Sequence, residues 1–129
     1  MIQYRIDRRS GVSTYMQIVH QTRQALRTGL LVPGDKLPTS REVVGMTQIN
    51  PNTVLKAYRQ LEAEGLVQGR AGSGTYVTQS LHHPDVGPDS PLARELRVWV
   101  DQAHDAGLQR ADIEALIKAV LDDDGSGTS

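Results

Sequence analysis

The sequence predicts a mainly helical protein that carries one small β-hairpin. Apolar residues recur at three- and four-residue steps in five separate stretches, which is the pattern of amphipathic helices. Two short β-type runs also flank the glycine-containing segment Ala71-Gly72-Ser73-Gly74. The 129 residues fit one domain, or one small domain with an appendage. The chain has no Phe and one Trp, so its aliphatic core is thin and would gain from burial against a second copy.

The first helix is predicted over residues 13–28. Its buried face comprises side chains at helical spacing, namely Tyr15, Ile18, Val19, Thr22, Ala25 and Leu26. Gly29 is expected to end the helix, and residues 30–35 are expected to form a turn.

The second and third helices both begin with clear capping signals. Thr39-Ser40-Arg41-Glu42 is a capping box, in which the Thr hydroxyl and the Glu carboxylate each accept a free backbone N–H. This helix is expected to end near Met46 or Thr47. In the third helix Asn50 is the N-cap and Pro51 takes the first position, and Gly65 ends the helix. Its buried face is formed by Val54, Ala57, Tyr58 and Leu61.

The elements after these two helices complete a recognisable order. Residues 66–70 and 75–78 are the two short β-type runs, and the turn between them predicts a hairpin. Two helices a few residues apart, the second opening with short polar side chains, outline a helix-turn-helix. With the hairpin as a wing, residues 1–78 are predicted to form a winged helix-turn-helix.

The C-terminal part is predicted to be a helical hairpin over residues 90–121, joined by a Pro-containing polar linker over residues 79–89. Ser90 caps the fourth helix, which ends before Gly107, and the fifth runs from about Gln109 to Leu121. We expect dimerisation through Leu92, Leu96, Trp99, Val100, Ile113, Leu116, Ile117 and Val120. The rival expectation is that these helices fold back onto the winged helix and bury their apolar stripe within one chain. Residues 122–129 are expected to be a disordered tail, because three Asp residues oppose the helix dipole.

Charge and composition favour a DNA-binding protein of the cytoplasm. Residues 1–80 carry ten Lys and Arg against five Asp and Glu, whereas residues 81–129 carry four against ten. The basic half can face phosphate. The chain has no Cys, which suits a reducing compartment, and it shows no signal peptide or membrane-spanning run.

Six runs of residues resemble the GntR family of bacterial regulators. They are Tyr15-x-Gln17-Ile18, Gly29-x-Leu31-x-Pro33-Gly34, residues 36–42, residues 50–54, Ala57-Tyr58-x-x-Leu61-Glu62-x-Glu64-Gly65-Leu66 and Arg70-x-Gly72-x-Gly74-Thr75-Tyr76-Val77. The short C-terminal part resembles the YtrA-like subfamily, which lacks the large effector-binding domains of other branches. Thr47 and Gln48 depart from the family, which usually has an apolar residue and often a glycine there, so a looser turn is expected.

The third helix is expected to be the recognition helix, with its N-terminal residues at base edges. Asn can pair with adenine, Thr can meet a thymine methyl group and Lys can meet guanine or phosphate. The resemblance adds Arg41 and the wing residues Arg70 and Gly72. The expected DNA-binding residues are Thr39, Ser40, Arg41, Asn50, Pro51, Asn52, Thr53, Lys56, Arg59, Arg70, Gly72 and Ser73.

These expectations combine into a sequence-specific regulator, a repressor that binds double-stranded DNA as a homodimer on an inverted-repeat operator. A small-molecule effector is possible, but its identity is not defined by the sequence. The alternative is a constitutive architectural or adaptor protein that recruits another protein through its C-terminal helices. We expect no cofactor, no metal and no enzymatic activity, because His82-His83-Pro84-Asp85 lacks supporting ligands and no catalytic constellation is present.

Overall fold

The computed structural model describes residues 2–128, and side chains through Asp124. Over this range the elements are α1 (Thr14–Thr28), α2 (Ser40–Thr47), α3 (Pro51–Ala63), β1 (Val67–Arg70), β2 (Gly74–Val77), α4 (Pro91–Asp105) and α5 (Arg110–Thr128). One 3₁₀ turn, Pro84–Val86, interrupts the expected linker. The predicted mainly helical class with a β-hairpin is confirmed. The chain divides into two compact units, residues 1–87 and 88–129.

The first unit is built around α3, which packs against α1 on one side and α2 on the other. The predicted inward faces of α1 and α3 are confirmed, with Tyr15 only partly buried. The aliphatic side chains that are wholly shielded from solvent are Ile18, Val19, Leu26, Val43, Val54, Ala57 and Leu61. This packing fixes which face of α3 is left to solvent.

The N-terminal segment before α1 is extended and contributes to the core, which the sequence did not indicate. Ile2 and Tyr4 are buried, and the Tyr4 hydroxyl lies 2.8 Å from Thr22 Oγ1. The Gln21 amide holds the segment by exchanging two hydrogen bonds with the backbone of Arg5. Hydrogen bonding of buried polar groups in this way removes the cost of their desolvation.

Both predicted helix caps are present. The Thr39 hydroxyl accepts the Glu42 N–H at 3.1 Å, while the Glu42 carboxylate accepts the Thr39 N–H at 3.0 Å. At the start of α3, Asn50 Oδ1 accepts the Asn52 N–H at 2.8 Å, and Pro51 occupies the first helical position. These caps satisfy N–H groups that have no partner within the helices.

The turn between α2 and α3 is held by hydrogen bonds at the positions where a looser turn is expected. Thr47 is buried, and its hydroxyl donates to the Val43 carbonyl at 2.8 Å. Gln48 adopts a left-handed conformation with φ of 62°. Arg8 Nη2, from the N-terminal segment, donates to the carbonyls of Thr47 at 3.1 Å and Gln48 at 3.4 Å. The expected looseness is therefore offset by an arginine that is distant in sequence.

The hairpin pairs β1 with β2 in antiparallel register, with Val67 opposite Val77 and Arg70 opposite Gly74. The Leu37 N–H donates to the Thr75 carbonyl at 2.8 Å, so the segment before α2 lines the other edge of β2. The hairpin is also fixed to α3, because the Glu62 carboxylate accepts the Gly69 N–H at 2.6 Å.

The second unit contains α4 and α5, joined by a turn at Gly107. Ser90 caps α4, since its hydroxyl accepts the Ala93 N–H at 3.2 Å. The expectation of a disordered tail from residue 122 is not met over residues 122–128, because α5 continues to Thr128. An i, i+4 contact of 2.7 Å between Lys118 Nζ and Asp122 Oδ2 favours the extension and offsets part of the unfavourable dipole interaction. Ser129 lies outside the described residues.

Candidate nucleic-acid interface

The outward face of α3 carries the polar side chains that were expected to meet DNA. Because Val54, Ala57 and Leu61 are buried, the opposite side of the helix is left to solvent. Asn52, Lys56 and Arg59 are exposed and Thr53 is partly buried. The face therefore combines an amide, a hydroxyl and two cations, which are groups able to read base edges and bind phosphates.

Lys56 is held in place by an aromatic ring from α1. Its Nζ lies 4.1 Å from the centroid of the Tyr15 ring, which is the geometry of a cation–π contact. The ring restricts where the ammonium can lie without neutralising its charge. Sequence reasoning assigned Tyr15 to the buried face of α1 and missed this contact, because the two residues are far apart in the chain.

The N-terminus of α2 presents three of the expected residues in different roles. The Thr39 hydroxyl serves as the helix cap, Ser40 is partly buried, and Arg41 is exposed. The Thr39 N–H and, secondarily, the Thr39 hydroxyl hold the pKa of Glu42 below its usual value. Arg41 is the residue of this group whose side chain extends into solvent as a cation. At the start of α3, Asn50 Oδ1 accepts the capping hydrogen bond from the Asn52 N–H, whereas the side chain of Asn52 is exposed.

The wing carries a second cation–aromatic pair. The Arg70 guanidinium lies 4.6 Å from the centroid of the Tyr76 ring. The Tyr76 hydroxyl lies 2.6 Å from Ser73 Oγ, which links the ring to the hairpin turn. Gly72, at the turn, has φ of 74°, a conformation that glycine adopts without steric cost. Sequence reasoning predicted Arg70, Gly72 and Ser73 but not the role of Tyr76.

A groove of about 260 Å³ runs between α3 and the hairpin. Its lining residues are Leu55, Tyr58, Arg59, Glu62, Gly69 and Thr75. The hydrogen bond from Gly69 to Glu62 lies along this groove and keeps the hairpin at a fixed position relative to α3. The helix and the wing thus lie side by side on one surface, although they are separate in sequence.

The helical hairpin of the second unit leaves most of its apolar stripe uncovered in the single chain. Ile113 is buried, and Trp99, Val100 and Ile117 are partly buried. The exposed members of the stripe are Leu92, Leu96, Leu116 and Val120, together with Leu121. An apolar groove of about 220 Å³ is lined by Trp99, Leu116, Ile117, Val120 and Leu121. The two helices of the hairpin therefore do not bury the whole stripe between themselves.

His82 of the linker contacts the end of α1, and His83 contacts a neighbouring residue of the linker. His82 Nδ1 lies 3.2 Å from the Arg27 carbonyl oxygen, and His83 Nδ1 lies 3.8 Å from Asp85 Oδ2. Among the described residues, no group of three His, Cys, Asp or Glu side chains is arranged to hold a metal ion. Over the same residues, no helix has the length and apolar character needed to cross a membrane.

The fold and this surface define a winged-helix DNA-binding protein. A helix-turn-helix presents polar and basic side chains on its second helix, and a hairpin with a basic residue follows it. The profile of the bacterial regulatory proteins of the gntR family matches residues 14–77. The chain belongs to the GntR family and is a DNA-binding transcriptional regulator. Proteins of this family are normally not enzymes.

Similar proteins reinforce this assignment. The chain is 37% identical over 119 residues to the HTH-type transcriptional repressor YtrA of Bacillus subtilis (strain 168), covering 92% of each protein. A solved structure of YtrA from Sulfolobus acidocaldarius, a GntR-family transcription factor, superposes with a TM-score of 0.51 at 32% identity, covering 92% of this chain and 96% of that one. The N-terminal domain of AraR, solved in complex with mutant ORR3, matches 52% of this chain and 96% of its own length, at 27% identity and a TM-score of 0.50.

Proposed function

We propose that this regulator is a homodimeric repressor that binds an inverted-repeat operator through α2, α3 and the wing. The observation that carries the proposal is the outward face of α3, where Asn52, Lys56 and Arg59 are exposed together. A recognition helix in the major groove needs donors, acceptors and cations on the face turned away from its own core. The N-terminal domain of AraR, which has a similar fold, was solved bound to mutant ORR3.

Each expected DNA-binding residue has a role in this proposal. Asn52 reads adenine through its amide, and Thr53 contacts a thymine methyl group or a phosphate. Lys56, Arg59 and Arg41 bind guanine or phosphate. Thr39, Ser40, Asn50 and Pro51 shape the starts of α2 and α3, whose backbone N–H groups can face phosphates.

The wing makes the remaining contact with DNA. Gly72 and Ser73 allow the hairpin turn to approach the sugar–phosphate backbone closely. Arg70 enters the minor groove, where a narrow groove has a strong negative potential. Its stacking on Tyr76 reduces the freedom that the guanidinium must lose on binding.

The homodimer forms through the exposed apolar side chains of α4 and α5. Leu96 is 51% exposed and Val120 is 61% exposed in the single chain, so both can lose solvent contact against a second copy. Full burial of such a side chain stabilises by about 1.5–3 kcal/mol, so a few per subunit exceed the cost of association. Two-fold pairing of the hairpins would present two winged helices to two half-sites related by the same symmetry.

Repression rather than activation is proposed from the similarity to the Bacillus subtilis repressor YtrA along nearly the whole chain.

The protein is proposed to act in the cytoplasm, where the bacterial chromosome lies. An effector of unknown chemistry would act by changing the dimer.

Sedimentation of the intact protein and of the double variant Leu116→Asp, Ile117→Asp tests the dimer. The wild type is expected to sediment as a dimer at micromolar concentration and the double variant as a folded monomer. A matched control is Ala111→Asp, Ala115→Asp, which adds the same charge to exposed positions on the opposite side of α5. A wild-type monomer, or a double variant that remains dimeric, would contradict the proposal, and a monomer would favour a heterologous partner for the hairpin.

A further inference from the structure

One large apolar side chain is exposed on the DNA-facing side of α3. Leu55 is 45% exposed, although Val54, Ala57 and Leu61 of the same helix are fully buried. It is three residues after Asn52 and four before Arg59, so the three side chains form one stripe along the helix. Leu55 therefore lies beside Asn52 and Arg59, two residues of the surface assigned to DNA binding.

The surroundings of Leu55 leave its outer side open. It borders the groove between α3 and the hairpin, together with Arg59, Gly69 and Thr75. Arg59, which lines the same groove, is exposed and basic. The exposed part of this apolar side chain is available to an apolar partner.

DNA offers one such partner at the base edges of the major groove. The C5-methyl group of thymine is apolar, whereas cytosine presents an N4 amino donor at the same edge. Leucine has no hydrogen-bonding group, so contact with cytosine would leave that donor without a partner, and an unpaired buried donor is costly. With leucine at this position, the affinity for DNA should be highest with thymine, lower with uracil and lowest with cytosine.

We propose that Leu55 is a specificity-determining residue that contacts the methyl group of one thymine in each half-site. This inference rests on the proposed function, because it requires α3 to lie in the major groove. The DNA-binding residues predicted from the sequence have polar or charged side chains, apart from residues at turns. Leu55 would add a side chain that has no polar group. Asn52 and Leu55 would then read neighbouring bases by different chemistry.

The test uses an operator duplex obtained by selection from random DNA, with each thymine of one half-site replaced singly by deoxyuridine. This change removes only the methyl group. The wild type is expected to lose affinity about three- to five-fold at one position, which is the ratio given by about 0.8 kcal/mol for one buried methyl group. Leu55→Ala is expected to bind the thymine and uracil duplexes equally at that position. When the thymine at that position is replaced by cytosine, the affinity of the wild type should fall. Use of 5-methylcytosine in place of this cytosine should restore part of the affinity of the wild type, but not that of Leu55→Ala.

Two further variants make the outcome specific to Leu55. Leu30→Ala removes a leucine that is 68% exposed and lies outside α2, α3 and the hairpin, and it should keep the wild-type discrimination. Leu55→Asn keeps the length and branching of the side chain but replaces its two methyl groups with polar groups, and it should lose the preference for thymine. Unfolding curves confirm that each variant is folded.

The results separate this inference from the proposed function. If the wild type binds specifically but tolerates deoxyuridine at every position, or if Leu55→Ala retains the discrimination, the role of Leu55 is wrong and the regulator remains. If no duplex is bound in preference to another, the proposed function itself is wrong.

Discussion

The Lys56 ammonium lies 4.1 Å from the centroid of the Tyr15 ring, so a residue of α1 positions a cation on the exposed face of α3. The wing repeats this arrangement with Arg70 and Tyr76 at 4.6 Å. In both places an aromatic ring limits the freedom of a flexible cation before DNA is present. Less conformational entropy then remains to be lost on binding.

The contact between Lys56 and Tyr15 should stabilise the fold measurably. A double-mutant cycle of Tyr15→Leu and Lys56→Met, followed by urea unfolding, is expected to give a coupling free energy of about 0.5–1 kcal/mol. Tyr15→Phe retains the ring and serves as the control, with the coupling to Lys56 preserved. Strictly additive effects of the two substitutions would show that the contact has no energetic role.

Asn52 and Arg70 should differ in how they affect DNA binding. Asn52→Ala is expected to flatten discrimination at one base pair in each half-site, because an amide pair with adenine carries sequence information. Arg70→Ala is expected to weaken all sequences to a similar extent and to reduce the salt dependence of binding. Titrations against single-base operator variants measure both effects. Uniform losses for both substitutions would remove Asn52 from base recognition.

Gln48→Gly should stabilise the protein. Gln48 has φ of 62°, and the left-handed conformation costs a residue with a Cβ atom roughly 1–2 kcal/mol. Because glycine adopts this conformation freely, thermal unfolding should show a gain of up to about 1 kcal/mol after the added freedom of the unfolded chain is subtracted. Gln24→Gly, at an exposed position inside α1, is the matched control and should lose about 1 kcal/mol. Equal losses in both variants would contradict the strain assigned to Gln48.

The sequence predicts the caps, the hairpin and the helix faces of this fold because their causes lie within a few residues. Thr39 and Glu42 are three positions apart, and Asn50 caps a helix that begins at the next residue. The contacts of Arg8 with the α2–α3 turn are not predictable in this way, since 39 positions separate Arg8 from Thr47. A similarly large separation in sequence makes the pairing of Lys56 with Tyr15 unpredictable. Leu55 is missed for another reason, because an exposed leucine in a helix usually needs no explanation.

Stability should fall in acid partly through the ion pair of Arg23 and Glu64, which links α1 to the end of α3. Arg23 Nη2 and Nε lie 2.6 and 2.8 Å from the Glu64 carboxylate oxygens, and this contact holds the pKa of Glu64 below its usual value. A carboxylate with a lowered pKa in the folded state contributes stability above its unfolded pKa of about 4.3, which is lost as the pH falls through the folded value. Both side chains are partly exposed, so the contribution is expected to be below about 1 kcal/mol.

Glu64→Gln tests this contribution. The variant should be less stable than the wild type at pH 7, and the difference should shrink as the pH is lowered below about 4. Urea unfolding across this range measures the effect. Part of the acid sensitivity should persist, because Glu42 also has a lowered pKa and is unchanged. A difference that stays constant with pH would exclude the carboxylate of Glu64 as its source.

Selection of bound duplexes from a random DNA pool by the intact protein tests the central claim most directly. A homodimer that reads base edges through α3 should enrich one consensus with two half-sites as an inverted repeat at a fixed spacing. The dimer-breaking variant Leu116→Asp, Ile117→Asp should enrich at most a single half-site, at much lower affinity. An inverted repeat that is lost in this variant is the result the account predicts. A pool that stays without a consensus, or a consensus made of a single asymmetric site for the wild type, would contradict it.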